Sequence, residues 1–172
     1  MFKIKVQISR ARAFRRSESG SAAIEFALIA PVLFFALFSL LEIGVLGMMT
    51  SGLDNAVLET SRRIRTGRDD AADSAAGFED QICDRLGGAA VSCRDRLVVS
   101  VQKFSAFSSA AAAADAQPLG QFDKGGPSDI ILVKANYKWP LMTPFLAAAY
   151  NRDGPLDVTI ASRVAFKNEP FE

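Results

Sequence analysis

The sequence predicts an α+β protein: a long N-terminal helix that crosses a membrane and continues as a stalk, a short cysteine-bearing helix, and a small antiparallel sheet of about three strands. Three observations carry this. From Ile24 to Met49 the only ionisable side chains are Glu25 and Glu42, and at ~1.5 Å per residue the run from Ile24 to Thr50 outlasts a hydrocarbon core of ~30 Å. The apolar pattern then changes to helical spacing, with Leu53, Val57 and Ile64 on one side and Ala56 beside them. Beyond residue 95 the period falls to two in Arg96–Phe104, Asp129–Trp139 and Asp157–Lys167.

The chain opens with a basic leader. Residues 1–20 hold Lys3, Lys5, Arg10, Arg12, Arg15 and Arg16 against Glu18 alone, so this flank should stay cytoplasmic and the C-terminal part should cross. Removing the leader's +5 from the total of +1 leaves −4, and a mildly acidic chain argues against a nucleic-acid partner. The small residues Gly20, Ser21, Ala22 and Ala23 precede the apolar run, whereas a secretory signal peptide has them after it. Cleavage at Gly20 would therefore leave the helix on the mature chain. Glu25 stands at the mouth of that helix. A carboxylate so near hydrocarbon points to a function and a partner, most simply an amine; the alternative is a side chain snorkelling at the headgroup level.

These residues carry a resemblance. A basic leader, Gly20, four residues, Glu25, the aromatic Phe26 and a long apolar helix resemble the processing site of type IV prepilins and pseudopilins. Gly20-Ser-Ala-Ala-Ile-Glu25-Phe26 with the following LIAPVLFFALFSLLEIG is similar to the TadE-like family, minor pilin-like components of the tight-adherence (Flp) pilus system. Further along, FEDQIC, a second cysteine, VSVQKF, a GGP loop and NYKWPLMTP before a last strand extend the likeness to residue 167. The major Flp pilins are shorter and carry Glu-Tyr where this chain has Glu25-Phe26, which points to a minor component.

The resemblance implies a pilin-like fold and a prepilin peptidase that cuts after Gly20, freeing the amine of Ser21. It implies that Glu25, with Phe26 beside it, neutralises the Ser21 ammonium of a neighbouring subunit. Its partners would be other Tad and Flp pilins and pseudopilins, the inner-membrane assembly platform and the lipid bilayer, in support of pilus biogenesis, adherence and biofilm formation. The expected organisation is a leader over 1–20, a transmembrane helix over 21–50, a stalk over 51–67 and a periplasmic head over 68–172. The alternative is an uncleaved, single-span anchored module that binds a partner through its sheet face or its 105–127 loop.

Within the helix, Pro31 removes one hydrogen bond and can kink it or be tolerated, as prolines in membrane helices often are. Glu42, ~25 Å beyond Glu25, is expected near the outer membrane face, as a wet interfacial acid or in an interhelical contact. The stalk should run to about Arg65 and stop at Gly67; a break at Ser51-Gly52 is the alternative.

Residues 68–77 (RDDAADSAAG) read as a solvated linker, since they lack the ligand spacing and terminal Glu of a calcium loop. Phe78, Ile82 and Leu86 form the stripe of a short helix ended by Gly87-Gly88. Cys83 on that helix and Cys93 fit a disulfide, which persists in an oxidising compartment such as the periplasm. Zinc is the other reading, and with no histidine in the chain carboxylates would have to complete its ligand set, which is uncommon.

In the first strand Leu97, Val99 and Val101 share a face. In the second, Ile131, Val133, Ala135, Tyr137 and Trp139 oppose Lys134, Asn136 and Lys138. In the third, Val158, Ile160, Val164 and Phe166 oppose Thr159, Arg163 and Lys167. One face should pack on the stalk and the short helix while the other stays wet. Residues 105–127 read as a surface excursion, mobile or partly helical. Thr143 and Pro144 read as the start of one or two helical turns over Phe145–Tyr150, with a turn at 151–155.

Lack of histidine excludes the common triads and imidazole acid–base work. Gly125-Gly126 precedes a strand rather than following one, and no serine sits in a Gly-x-Ser-x-Gly elbow. The expectation is a non-enzyme with no cofactor, no metal and no small-molecule substrate.

Overall fold

The computed structural model describes residues 20–87, 92–115, 120–143 and 156–170. The leader up to residue 19, the expected turns over 145–150 and the turn at 151–155 lie outside them. The chain divides into two compact units, Met1–Leu41 and Glu42–Glu172. In chain order the elements are α1 (Ser21–Arg65), α2 (Ala75–Leu86), α3 (Cys93–Arg96), β1 (Leu97–Phe104), α4 (Phe107–Ala113), β2 (Ile130–Pro140) and β3 (Asp157–Lys167).

Helix α1 is 45 residues long and unbroken at Ser51-Gly52, with Pro31 inside it. Its stop is a Schellman turn. Gly67 takes φ 60°, its N–H donates to the Ile64 carbonyl, and the Arg68 N–H donates to the Arg63 carbonyl, so the last orphan carbonyls are satisfied. In the first unit the large apolar side chains of α1, from Ile24 through Leu41, are exposed.

In the second unit Glu42, Leu46, Met49, Leu53, Ala56, Val57, Thr60 and Ile64 make one buried stripe at the three- and four-residue steps of a single helix face. Leu46 to Ile64 share one core with Phe78 and Ile82 of α2 and with the inner sheet face. Helix α2 starts three residues before Phe78 because the Ser74 hydroxyl caps it, accepting the Gly77 N–H at 3.1 Å. Ala72 is buried in the same core, so the 68–77 stretch is not a solvated linker throughout. Its small alanines let the backbone run close to the core.

The sheet is antiparallel in the order β1-β2-β3. Its register lines up apolar rows on the inner face: Leu97 opposite Tyr137 and Tyr137 opposite Ile160, then Val101 opposite Val133 and Val133 opposite Val164. Such cross-strand pairs are what hold a small sheet in register. The outer face departs from expectation. Lys134 is buried there beside Ser100, its partner in register, and its ammonium donates to the Ala114 carbonyl at 3.3 Å. The alanine-rich α4 contacts β1 and β2, and only side chains as small as Ala110, which is fully buried, allow such close approach. A lysine tolerates this cover because its stem is apolar and its head reaches out to a polar atom.

Further along the 105–127 excursion, residues 120–123 close the free edge of β1. The Val101 N–H donates to Gln121 O, the Asp123 N–H to Val101 O, and the Gly120 N–H to Val99 O, while the Glu79 carboxylate accepts the Val99 N–H. Phe122 thereby reaches Phe78, ring centroids 6.5 Å apart. An edge so covered cannot recruit another strand.

The loop into β2 is fastened by Asn168, whose side-chain amide donates to Lys124 O and Gly126 O at 3.0 Å each. Gly125 within it holds φ 62°, and a Cβ there would stand 2.9 Å from Ile131 Cδ1 and 3.0 Å from Asp129 Cβ. Gly125→Ala is therefore expected to destabilise the head by about 1–3 kcal/mol, from left-handed strain plus overpacking. A denaturation midpoint equal to wild type would show that the loop shifts freely.

Candidate functional site

The residues expected to be processed and to pair, Gly20, Ser21, Glu25 and Phe26, lie at the start of α1. Gly20 is exposed and immediately precedes the first helical residue, Ser21, and nothing stands within 4 Å of where a Cβ would be on Gly20. One turn on, the Glu25 carboxylate accepts the Ser21 hydroxyl at 3.0 Å. The two side chains share a helix face because residues four apart do so. Phe26 is 63% exposed, and its ring adjoins the carboxylate in sequence without covering it.

The second site is Glu42, where the structure corrects the sequence expectation. Glu42 is neither wet nor in an interhelical contact: it is only 7% exposed, and its two carboxylate oxygens accept the backbone N–H groups of Met142 and Thr143, the latter at 2.9 Å. These residues follow β2 directly, and the Leu141 N–H donates to Leu156 O at 2.6 Å, which closes the neck of the β2–β3 connection. Leu141 is buried in the core. Thr143 gives its N–H to Glu42, and the helical turns expected after it lie outside the described residues. Nothing local marks Glu42 for this role, since its partners lie a hundred residues away. The available signal is its isolation, one acid after sixteen uncharged residues.

Cys83 and Cys93 form a disulfide with Cα atoms 5.7 Å apart, inside the usual range. Arg94, next to Cys93, pairs with Asp80 and Asp84 of α2. The Asp80 hydrogen bond and charge hold its guanidinium above its ordinary pKa. The bridge and the ion pairs join the same two elements, α2 and α3, and α3 runs straight into β1.

Helix α1 contains an 18-residue window of mean hydropathy 2.4 with no more than two charged residues, and its leading part is a bare apolar surface preceded by an accessible Gly20 and a carboxylate one turn in. Residues 20–62 match the family model for TadE-like proteins. The TadE-like segment thus takes in Gly20, Ser21, Glu25, Phe26, the apolar run, Glu42 and most of the stalk, and ends before α2. TadE-like proteins are structural and non-enzymatic, and the match is consistent with a component of the tight-adherence pilus system. No curated protein and no solved structure matches the chain. The apolar helix is compatible with a single-pass membrane anchor.

Proposed function

We propose that this chain is a minor pilin-like subunit of a tight-adherence pilus, stored in the bacterial inner membrane, cut after Gly20 by a prepilin peptidase and then passed to the assembly platform and other Tad or Flp pilins. The observation that carries the reading is an exposed Gly20 directly before the first residue of a long helix with an apolar leading part, with Glu25 one turn on, inside the TadE-like segment. Ile24–Leu41 spans the bilayer, ~27 Å of helix against a ~30 Å core, and the head from Glu42 onward faces the periplasm, where its disulfide persists.

The chemistry follows from charge. Cleavage puts an ammonium on Ser21 at the positive pole of α1, which carries roughly half a unit charge of its own. The Glu25 carboxylate offsets both. Before assembly it can meet its own chain's amine, as it meets the Ser21 hydroxyl; in the fibre it neutralises the amine of a neighbour. Left unpaired, an acid costs ~2.5–3.5 kcal/mol at the bilayer centre and less at its edge, so subunits in register are favoured. Glu25→Ala is expected to permit cleavage yet reduce the fraction recovered in sheared pili, and Glu25→Gln should share the defect because it keeps the hydrogen bond without the charge. Wild-type recovery of both variants by immunoblot would dispose of the pairing role.

A further inference from the structure

We infer that the β2–β3 neck held by Glu42 is a membrane-contact surface, with Met142 and Leu156 seated in the lipid headgroup layer at the outer boundary of the bilayer. The inference rests on the anchor reading above and adds the height and the lipid contact of the head.

Met142 is 90% exposed and Leu156 44% exposed, although the backbone of both is fixed. The Met142 N–H is bound by Glu42, and the Leu156 carbonyl accepts the Leu141 N–H. Two large apolar side chains are therefore held at the surface of a hydrogen-bonded neck, Met142 almost wholly exposed and Leu156 nearly half so. On α1, Ile43 and Val45, close to Glu42 in sequence, are exposed as well. A soluble surface carries single exposed apolar residues without consequence, but where several occur they mark protein or membrane contact.

Position identifies the occupant. Glu42 is the first charged residue after Glu25, and the helix from Ile24 to Leu41 before it covers ~27 Å of a ~30 Å hydrocarbon core. A neck bound to Glu42 is thus bound one residue beyond Leu41, at the level where lipid ends. Charge agrees: Trp139 to Thr143 carry no acidic or basic side chain, and Asp157, which follows Leu156, is paired with Arg96 at 3.3 Å. Glu42 then has a further effect. Its carboxylate is spent on two backbone donors at the depth where a bare acid would resist burial.

The full chain has only the two cysteines, both in the disulfide, so one introduced cysteine can be labelled alone. Met142→Cys, Phe34→Cys and Leu58→Cys would carry an environment-sensitive fluorophore in phosphatidylcholine–phosphatidylglycerol vesicles with brominated lipids as quenchers. The expected result is a Phe34 label quenched by deep bromines, a Met142 label blue-shifted and quenched by bromines near the headgroup, and a Leu58 label in water. A quenched Phe34 label with an unquenched Met142 label overturns the inference and leaves the anchor. A blue shift at Met142 without lipid quenching also overturns it, because the neck would then lie against protein. If neither label meets lipid, the anchor reading fails with it.

Discussion

Cys93→Ser in the full-length protein is expected to lower head stability by about 2–4 kcal/mol. At ~2–4 °C per kcal/mol for a chain of this size, thermal unfolding in detergent should move down by roughly 4–16 °C. The bridge closes a short loop, with the cysteines ten residues apart, for which the chain-entropy gain is a little under the ~3 kcal/mol expected of fifteen residues. Its position adds to this. Cys83 sits on α2 among the fully buried Phe78 and Ile82, and Cys93 opens the turn that becomes β1, so the bond ties a helix to the first strand. The Arg94 pairs with Asp80 and Asp84 span the same gap, but ion pairs so exposed are screened by water and salt and cannot replace it. Cys83→Ser should give the same shift and the double variant no more, since one bond is lost in every case. Unchanged midpoints in all three would mean that the bridge constrains nothing.

Glu42→Ala should do comparable damage by a different route. It strips the acceptor from two backbone N–H groups, that of Met142 and that of the buried Thr143. A buried donor left without a partner costs ~1–3 kcal/mol, and of the two only Thr143 is buried, so about 1–3 kcal/mol is expected, together with release of the neck. Glu42→Gln keeps one carbonyl acceptor and should fall between the variant and wild type. Limited chymotrypsin digestion reads the release directly, because Phe145 and Tyr150 lie in the connection. Faster cleavage there, with the rest of the head intact, is the expected outcome; wild-type digestion kinetics for Glu42→Ala would show that the clamp is dispensable.

The parts of this molecule that sequence reveals are those governed by a local period. Asp157–Lys167 alternates cleanly and is a strand over that same range, and the stalk ends at Arg65 because Gly67 supplies the left-handed residue that its stop requires. Strands β1 and β2 each begin one residue later than the alternation suggests, at Leu97 and Ile130. Where the period is lost, so is the signal. Leu46 and Met49 belong to the head's core, yet in a run that is apolar on every side they look no different from Leu40 or Met48. A uniformly greasy helix conceals which of its faces meets protein.

The same limit hides the Glu42 clamp, whose partners are backbone groups and carry no side-chain signature. It also hides the cover over Lys134. A lysine opposite a hydrophobic row reads as a wet face, and only the folded position of α4 shows otherwise. At the start of α1 the opposite holds: Ser21 and Glu25 are four residues apart, so helical spacing alone brings them onto one face.

The most direct test is the mass of the chain recovered from its native membrane. A polypeptide that begins at Ser21, with the bond between Cys83 and Cys93 closed, is the expected species. A chain that still begins at Met1 would contradict the pilus account, for no ammonium would then stand beside Glu25, and what remained would be an anchored module with an uncut leader.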